Sequence, residues 1–433
     1  MHSVVITDRR MLPEDGLLLG NGDIAVCVYH GGDFIGFRLG KGDVWDRRFD
    51  YTVDPDPVDI DELRRGLRHE RWKCGPYGGA VETLGDAPKD PKRVYEICQG
   101  APKSYNGIPY PCPKPVGELE LFLPPDLPEP RISSELIIEK NVVRTRAEYA
   151  TGVTVTVDVC VHPDENLLKV QWTVDGWNES SQMGCKEPVR MAVTRWRDPS
   201  IQEYETKYLR LHDRIIRFDE VVRGMSAKPE PLEPPATELI GDGQYCVVQR
   251  FAADLTYPKG FECAFGVAGV GKQAPVEALD DSEACVVFRP ENPLRGTVLV
   301  GVETTGRDGL RAIPKLAALL GRAGLKECAR ETDEAVAADA MRFWSQSSFQ
   351  TEEPVFEQMW YEILHVQKAV LKRGKTAPGL FIPGTVSDYS MWKGDYHTNY
   401  NIQEPYWSTD ICDVNLRRRR SAPRAEAAFS IPG

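Results

Sequence analysis

The strongest constraint on this chain is a two-residue alternation of apolar and polar side chains that recurs, broken by short turns, up to about residue 305. Val153, Val155, Val157, Val159 and Val161 alternate with Thr154, Thr156, Asp158 and Cys160. Successive side chains of a strand point to opposite faces, so this run is a strand with one buried face. It lies in a meander: SELIIE, a turn at Lys140-Asn141, VVRTRAEY, a turn at Thr151-Gly152, GVTVTVDVCV, a turn at 163–166, then LLKVQWTV. Comparable runs are IAVCVY, FIGFRL, ELELFL, VRMAVTRW, YCVVQRF, ECAFGVAGV, ACVVF and TVLVGVET. So many strands predict two large antiparallel sheets packed face to face.

Two stretches break the rhythm. Residues 50–115 and 225–243 are rich in Pro, Gly and charge, and both are expected as long insertions in the sandwich. Beyond residue 308 the period becomes helical. Leu310, Ile313, Leu316, Leu319 and Leu320 share one face; Val336, Ala340, Phe343 and Ser347 share another; Val355, Met359, Ile363, Val366 and Val370 form a third after Pro354 in a first turn. Each stripe reads as a face for core packing. The expected division is a sandwich over 1–305, a helical linker over 306–350, the start of a helical domain over 351–416 and an irregular basic tail over 417–433 that opens with four arginines. Length alone, 433 residues at about 150 per domain, points to about three domains.

Composition narrows the function. There are 53 basic and 65 acidic residues, a formal net charge of −12, which argues against a nucleic-acid partner. No stretch approaches the roughly 20 apolar residues of a transmembrane helix, so no membrane partner is expected. The 11 cysteines include no CxxC pair, and the seven histidines no HxH or HExxH pair, so no metal is expected. Thiols such as Cys27 and Cys160 sit in strand-like apolar runs and read as reduced and buried. Together with an N-terminus that has no signal-like apolar run, this favours the cytoplasm, although the sequence does not determine the compartment. GVAGVGKQ, at 266–273, nearly matches a phosphate-binding loop, but Gln273 replaces the hydroxyl that ligates magnesium and Ala-Pro follows where a helix should start. No GxSxG elbow is present. No cofactor is expected.

What remains is LGNGD at 19–23 and the strip at 379–410. Gly20 and Gly22 flank Asn21 just before a strand, which is either a tight turn entering the sheet or part of a site. The strip holds seven aromatics between Phe381 and Trp407, against 9% for the whole chain. Between them lie His, Asn, Gln, Asp and Glu, the types that hydrogen-bond hydroxyls while aromatic faces stack on sugar C–H surfaces. In an extended segment His397, Asn399 and Asn401 point the same way, and could hold a sugar hydroxyl and a water. The alternative is a buried polar network bracing a loop.

The order LLLGNGDIAVCVYHGG, FRLGKGDVWD, a long β region, a helix ending MRFW and then WKGDYHTNYNIQEPYW at 392–407 resembles glycoside hydrolase family 95, the inverting α-L-fucosidase and α-L-galactosidase family. Its specific motifs occupy 17–46 and 392–407. The resemblance implies a β-super-sandwich, a helical linker and an (α/α)6 barrel whose inner ends form the active site. It also implies that Asn399 and Asn401 orient the attacking water and His397 binds the sugar. Trp392, Asp395, Tyr396, Gln403 and Trp407 would be substrate contacts or site walls. A Glu general acid and a loop Asp complete the family's inverting machinery, in which acid and water act from opposite faces across roughly 6.5–9.5 Å.

The sequence departs from that pattern in two places. Glu404-Pro405 stands where the fucosidases carry Met-Asn. Only 32 residues follow Asn401, whereas the family's acid and Asp lie well beyond it. The chain is therefore expected to be a truncated or frame-shifted product that stops inside the barrel. Val355, Met359, Trp360 and Ile363 would then face helices that are not reached, leaving an exposed apolar patch. Asp395 and Glu404 are the nearest carboxylates.

Three functions fit: an inverting glycosidase acting on a terminal α-L-fucoside or related sugar, a non-catalytic carbohydrate-binding module, and a relative of the inverting disaccharide phosphorylases. In each the partner is a carbohydrate. The sugar, the linkage and the oligomeric state stay open.

Overall fold

The structure is a computed structural model of the chain and describes residues 2–7, 13–48, 111–178, 188–198, 232–241, 243–269, 273–276, 283–322 and 325–377, with Gly379, Ser387, Asp388, Gly394, Tyr396 and Gln403 beyond them. The strands are β1 (Ser3–Ile6), β2 (Leu17–Gly20), β3 (Ile24–His30), β4 (Phe34–Lys41), β5 (Trp45–Asp46), β6 (Cys112–Pro113), β7 (Gly117–Phe122), β8 (Arg131–Ile137) and β9 (Val142–Glu148). They continue as β10 (Thr154–Val161), β11 (Leu167–Asp175), β12 (Arg190–Trp196), β13 (Ala236–Gly241), β14 (Gln244–Phe251), β15 (Phe261–Ala268), β16 (Gln273–Val276), β17 (Glu283–Phe288) and β18 (Arg295–Thr304). Three helices follow: α1 (Ala312–Leu320), α2 (Leu325–Trp344) and α3 (Pro354–Val370).

The chain divides into two compact units, one of 1–46, 113–198 and 231–433, the other of 47–112 and 199–230. Nearly all of the second lies outside the described residues. In the first, a nine-stranded sheet runs β1-β8-β9-β10-β11-β18-β15-β14-β13, and a seven-stranded sheet runs β16-β17-β12-β7-β4-β3-β2. The valine alternation sets the register: Val155, Val157 and Val159 pair with Val174, Trp172 and Val170 on one side and with Ala147, Thr145 and Val143 on the other. Those residues and the apolar faces of β3, β4, β7, β12 and β17 close into one core, with Trp172, Phe37, Phe265 and Phe288 among its largest buried side chains. The turn before β9 needs a left-handed residue, which Asn141 supplies at φ 55°.

The nine-stranded sheet is covered on its outer face as well. Leu167, Val248, Ala264 and Leu299 meet Ala312, Leu316 and Leu320 of α1. This explains why every residue of β15 is buried and its sequence is apolar without strict alternation. α2 buries Ala329, Thr332, Val336, Ala340 and Phe343, and Lys169 of β11 reaches its Asp333 at 2.5 Å. α3 buries Leu364, His365, Ala369 and Val370, and its Lys368 bonds Asp339 of α2 at 2.6 Å. His365 Nε2 donates to the carbonyl of Leu18 at 2.8 Å. At the start of α3, His2 joins Glu139 (2.8 Å) to Glu357 (2.9 Å) and stacks on Tyr361.

Several expectations are corrected. The stretch 225–243 is not loop throughout, because Ala236–Gly241 pairs with β14 as an edge strand. Leu310 precedes α1 and is exposed, and Ser347 lies past the end of α2. Val355, Met359 and Ile363 are exposed, Val355 at 66%, as the expected apolar patch has them, and Phe356 and Val366 are exposed with them rather than packed in a core. Trp360, expected in that patch, instead packs against Phe349 and Tyr361. No helix among the described residues is long and apolar enough to cross a membrane.

Two predictions follow from this packing. Leu316→Ala should lose about 2–5 kcal/mol of stability in denaturant unfolding, because the side chain is fully buried between α1 and the sheet. Burial, reinforced by the charge of Lys368, lowers the His365 pKa to about 4 despite the Leu18 bond. The unfolded chain takes up the proton first, near the ordinary histidine value of 6.5, so stability should fall as pH drops from 6.5 towards 4, by about 1.4 kcal/mol per unit. His365→Gln should flatten that slope in unfolding curves taken at pH 7 and pH 5; an unchanged slope would contradict the assignment.

Candidate functional site

LGNGD is a turn whose polar groups are all committed. Asn21 Oδ1 accepts from the backbone of Asp23 (2.9 Å) and Ile24 (3.0 Å), while Nδ2 donates to the carbonyls of His162 and Glu165, both at 2.9 Å. Gly22 has φ 80° and donates to the carbonyl of Ala369 at 2.8 Å. A Cβ there would lie 2.3 Å from the Cβ of Lys372. The glycines therefore let the end of α3 rest directly on the β2–β3 turn, and the tight-turn reading of the motif is the one its geometry supports.

The carboxylate of the motif opens an ionic cluster at one end of the sandwich. Asp23 and Lys41, brought together by the β3–β4 hairpin, pair at 2.9 Å, and both side chains are buried. Lys41 also bonds Asp43 at 2.8 Å, and Asp43 accepts from Thr304 Oγ1 at 2.7 Å. Lys375, five residues past α3, reaches the second oxygen of Asp23 at 2.7 Å. Burial raises the Asp23 pKa, but Lys41 and Lys375 outweigh it and hold the group at about 2. Asp23 is thus a fixed anion and has no proton to give near neutral pH.

Next to this cluster two aromatic rings lie nearly parallel. Trp45 and Tyr396 have centroids 6.2 Å apart and an interplanar angle of 14°. Trp45 Nε1 donates to the carbonyl of Gly42 at 3.0 Å, and Tyr396 Oη donates to the carbonyl of Ala377 at 2.5 Å. Both polar tips are thereby occupied, and Tyr396 remains partly exposed. Asp388 is buried against the sandwich, its Oδ1 accepting from Trp196 Nε1 at 2.9 Å.

Of the predicted site residues, Tyr396 and Gln403 are described, and Gln403 is exposed. Trp392, Asp395, His397, Asn399, Asn401 and Trp407 lie outside the described residues. Sequence reasoning missed Trp45, Lys41 and Asp43 as neighbours of the strip. One signal was available: KGD followed by a residue and an aromatic ring occurs at 41–45 and again, as KGDYH, at 393–397.

A second polar cluster lies on the outer face of the seven-stranded sheet. Glu118 accepts from Tyr29 Oη and from Arg38 Nε, the latter at 2.6 Å, and Arg38 lies 4.2 Å from the Trp196 ring centre. Glu120, two residues along the same strand, is pushed up to about 7 by burial and by the charge of Glu118. Of GVAGVGKQ, Gly266 lies within β15 and Gln273 spends its side chain on Tyr245 N (2.7 Å) and the Val267 carbonyl (3.0 Å), while residues 270–272 lie outside the described residues. Cys27, Cys160, Cys246 and Cys263 are free thiols pushed up by burial, which makes them poor nucleophiles. No group of three or more His, Cys, Asp or Glu among the described residues is placed to hold a metal ion.

If the turn seats α3 as described, Gly22→Ala should release the segment after it, because the added methyl has no space against Lys372. Trypsin should then cut at Lys372, Arg373 and Lys375 markedly faster than in the parent chain; equal rates would count against this docking.

No family model matches the chain, and no curated protein matches it. Its backbone is similar to that of a protein described as a kojibiose phosphorylase from the human microbiome, with a TM-score of 0.44 and 9% identity over 90% of this chain and 45% of that one. It is also similar to a family GH92 inverting mannosidase from Bacteroides thetaiotaomicron (TM-score 0.31, 8% identity, 58% of this chain and 29% of that one). A third similar structure is a bacterial glucoamylase complexed with acarbose (TM-score 0.34, 6% identity, 90% and 48%). The chain spans less than half the length of each of these three structures.

Proposed function

We propose that this chain is the sandwich and first helices of a carbohydrate-active enzyme of the glycosidase type, in which the strip at 379–410 forms one wall of a sugar site. The observation that carries this reading is the Trp45–Tyr396 pair. A ring from the sandwich and a ring from the strip lie parallel with their polar tips tied down, which leaves ring surface for the C–H face of a sugar. The resemblance of the two motif regions to glycoside hydrolase family 95 gives the finer form: α3 opens an (α/α)6 barrel on a β-super-sandwich, and the reaction is inverting hydrolysis of a terminal α-L-fucoside or related sugar. In that form Asn399 and Asn401 position the water and His397 binds the sugar. Trp392, Asp395, Tyr396, Gln403 and Trp407 contact the substrate.

Binding without turnover by this chain is the second reading, and one observation favours it. A general acid must carry a proton near neutral pH, yet Asp23, the carboxylate of the LGNGD motif, is held ionised at about 2 by two lysines. Asp23 therefore does not supply that acid.

Calorimetry with L-fucose, L-galactose and their methyl glycosides, paired with an aryl α-L-fucoside assay, tests both readings. Sugar should bind to the parent chain, and Trp45→Ala should weaken it by about tenfold, or about 1.4 kcal/mol. Absence of binding, or equal affinity in the variant, would remove the site. Binding with no turnover would favour the module; turnover that requires phosphate would favour the phosphorylase relationship.

A further inference from the structure

We infer that Asp388 is a positioning residue for the sugar site, captured by a socket of Lys114, Arg195 and Trp196 on the sandwich that anchors the strip ahead of Tyr396. This rests on the carbohydrate reading above. Asp388 precedes Tyr396, the strip's half of the ring pair, by eight residues, so its anchorage limits how far Tyr396 can stray.

The socket follows from the strand alternation. Met191 and Val193 point into the core, and Arg195, two residues further along β12, follows them to the end of the sandwich, where it is fully buried. Lys114 is buried beside it. Two buried cations need two anions. Asp198 is one, 2.8 Å from Lys114 Nζ and 3.4 Å from Arg195 Nη2. Asp388 is the other, 3.6 Å from Arg195 Nη1, and Lys114 Nζ also donates to its backbone carbonyl at 2.9 Å. At 3.6 Å, Asp388 acts on the Arg195 guanidinium as a charge rather than as a hydrogen-bond acceptor.

The remaining wall is Trp196. Its indole lies between Arg38 and Arg195, at 4.2 and 4.9 Å from the two guanidinium carbons, and its Nε1 donates to Asp388 Oδ1 at 2.9 Å. Lys114, Arg195, Trp196 and Asp198 all belong to the sandwich, whereas Asp388 arrives from beyond α3. Asp388 is therefore the part of the site that comes from the strip and docks on residues in or next to β6, β7 and β12. The same strip is tied a second time where Tyr396 meets Trp45, so residues 388–396 are held at both ends against the sandwich.

The test uses the full chain with Asp388→Asn, which keeps an acceptor for Trp196 and removes the charge, and Asp388→Glu, which restores it. Chymotryptic cleavage after Tyr389, Trp392 and Tyr396, affinity for L-fucose by calorimetry and the melting temperature are measured on each. Asp388→Asn should be cut about tenfold faster and should bind sugar about tenfold more weakly, with melting of the sandwich shifted only slightly. Asp388→Glu should recover most of both. Parent-like cleavage of Asp388→Asn would overturn the socket as a tether. Faster cleavage with unchanged affinity would overturn the positioning role. If the parent chain binds no sugar, the carbohydrate reading and the positioning role fall together, while the cleavage comparison still shows whether the socket holds the strip.

Discussion

Asp23 bonds two lysines that are far apart in sequence, Lys41 on the adjoining strand and Lys375 beyond the last helix. This contact carries the chain from the sandwich to the strip, and the arrangement of the candidate site depends on it. A buried carboxylate with one lysine would be balanced in charge, but Asp43 adds a second anion to Lys41. Lys375 therefore completes a cluster of two cations and two anions. Asp23 and Lys41 are buried whereas Lys375 stays more than a third exposed, so the contact ties Lys375 to the β2–β3 turn at the edge of the interior.

The same rule operates at the other node. Lys114 and Arg195 are held by Asp198 from the sandwich and Asp388 from the strip. Both nodes sit at one end of the sandwich, and each takes one of its four members from beyond residue 370. Hydrophobic burial of this kind would be less selective, since an apolar segment slides at little cost, whereas a buried ion pair off register leaves charges without partners. The ionic end thus gives specificity of docking, and the large apolar core behind it gives the stability on which docking relies.

The helices attach to the sandwich by different means. α1 is held by apolar contact with β11, β14, β15 and β18. α3 combines apolar contacts of Leu364, Ala369 and Val370 with polar contacts at its two ends, His2 with Glu357 at the start and His365 with the Leu18 carbonyl near the finish. Its other face, from Val355 to Val366, is exposed. Where directional bonds join the apolar contacts, the helix answers to protonation as well as to packing, and His365, whose burial disfavours its charged form, is the clearest case.

The sandwich was legible because period-two alternation follows directly from strand geometry and needs no partner to be recognised. β3, β4 and β7 to β11 fall where the runs of valine, isoleucine and leucine place them. β13 was hidden among prolines and charges, because an edge strand buries little and carries little pattern. The stripe on α3 was visible as a stripe, yet sequence cannot say whether an apolar face is covered. The aromatic strip and its polar residues were likewise legible as a composition. Its partners Trp45, Lys114, Arg195 and Trp196 were not, since they are joined to it across hundreds of residues by the packing of two sheets. By itself, then, the sequence determined the strands, the helical stripes and the chemistry of the strip. Only the tertiary structure decided which charges meet, because pairing between distant residues depends on register and burial, and neither is encoded in local spacing.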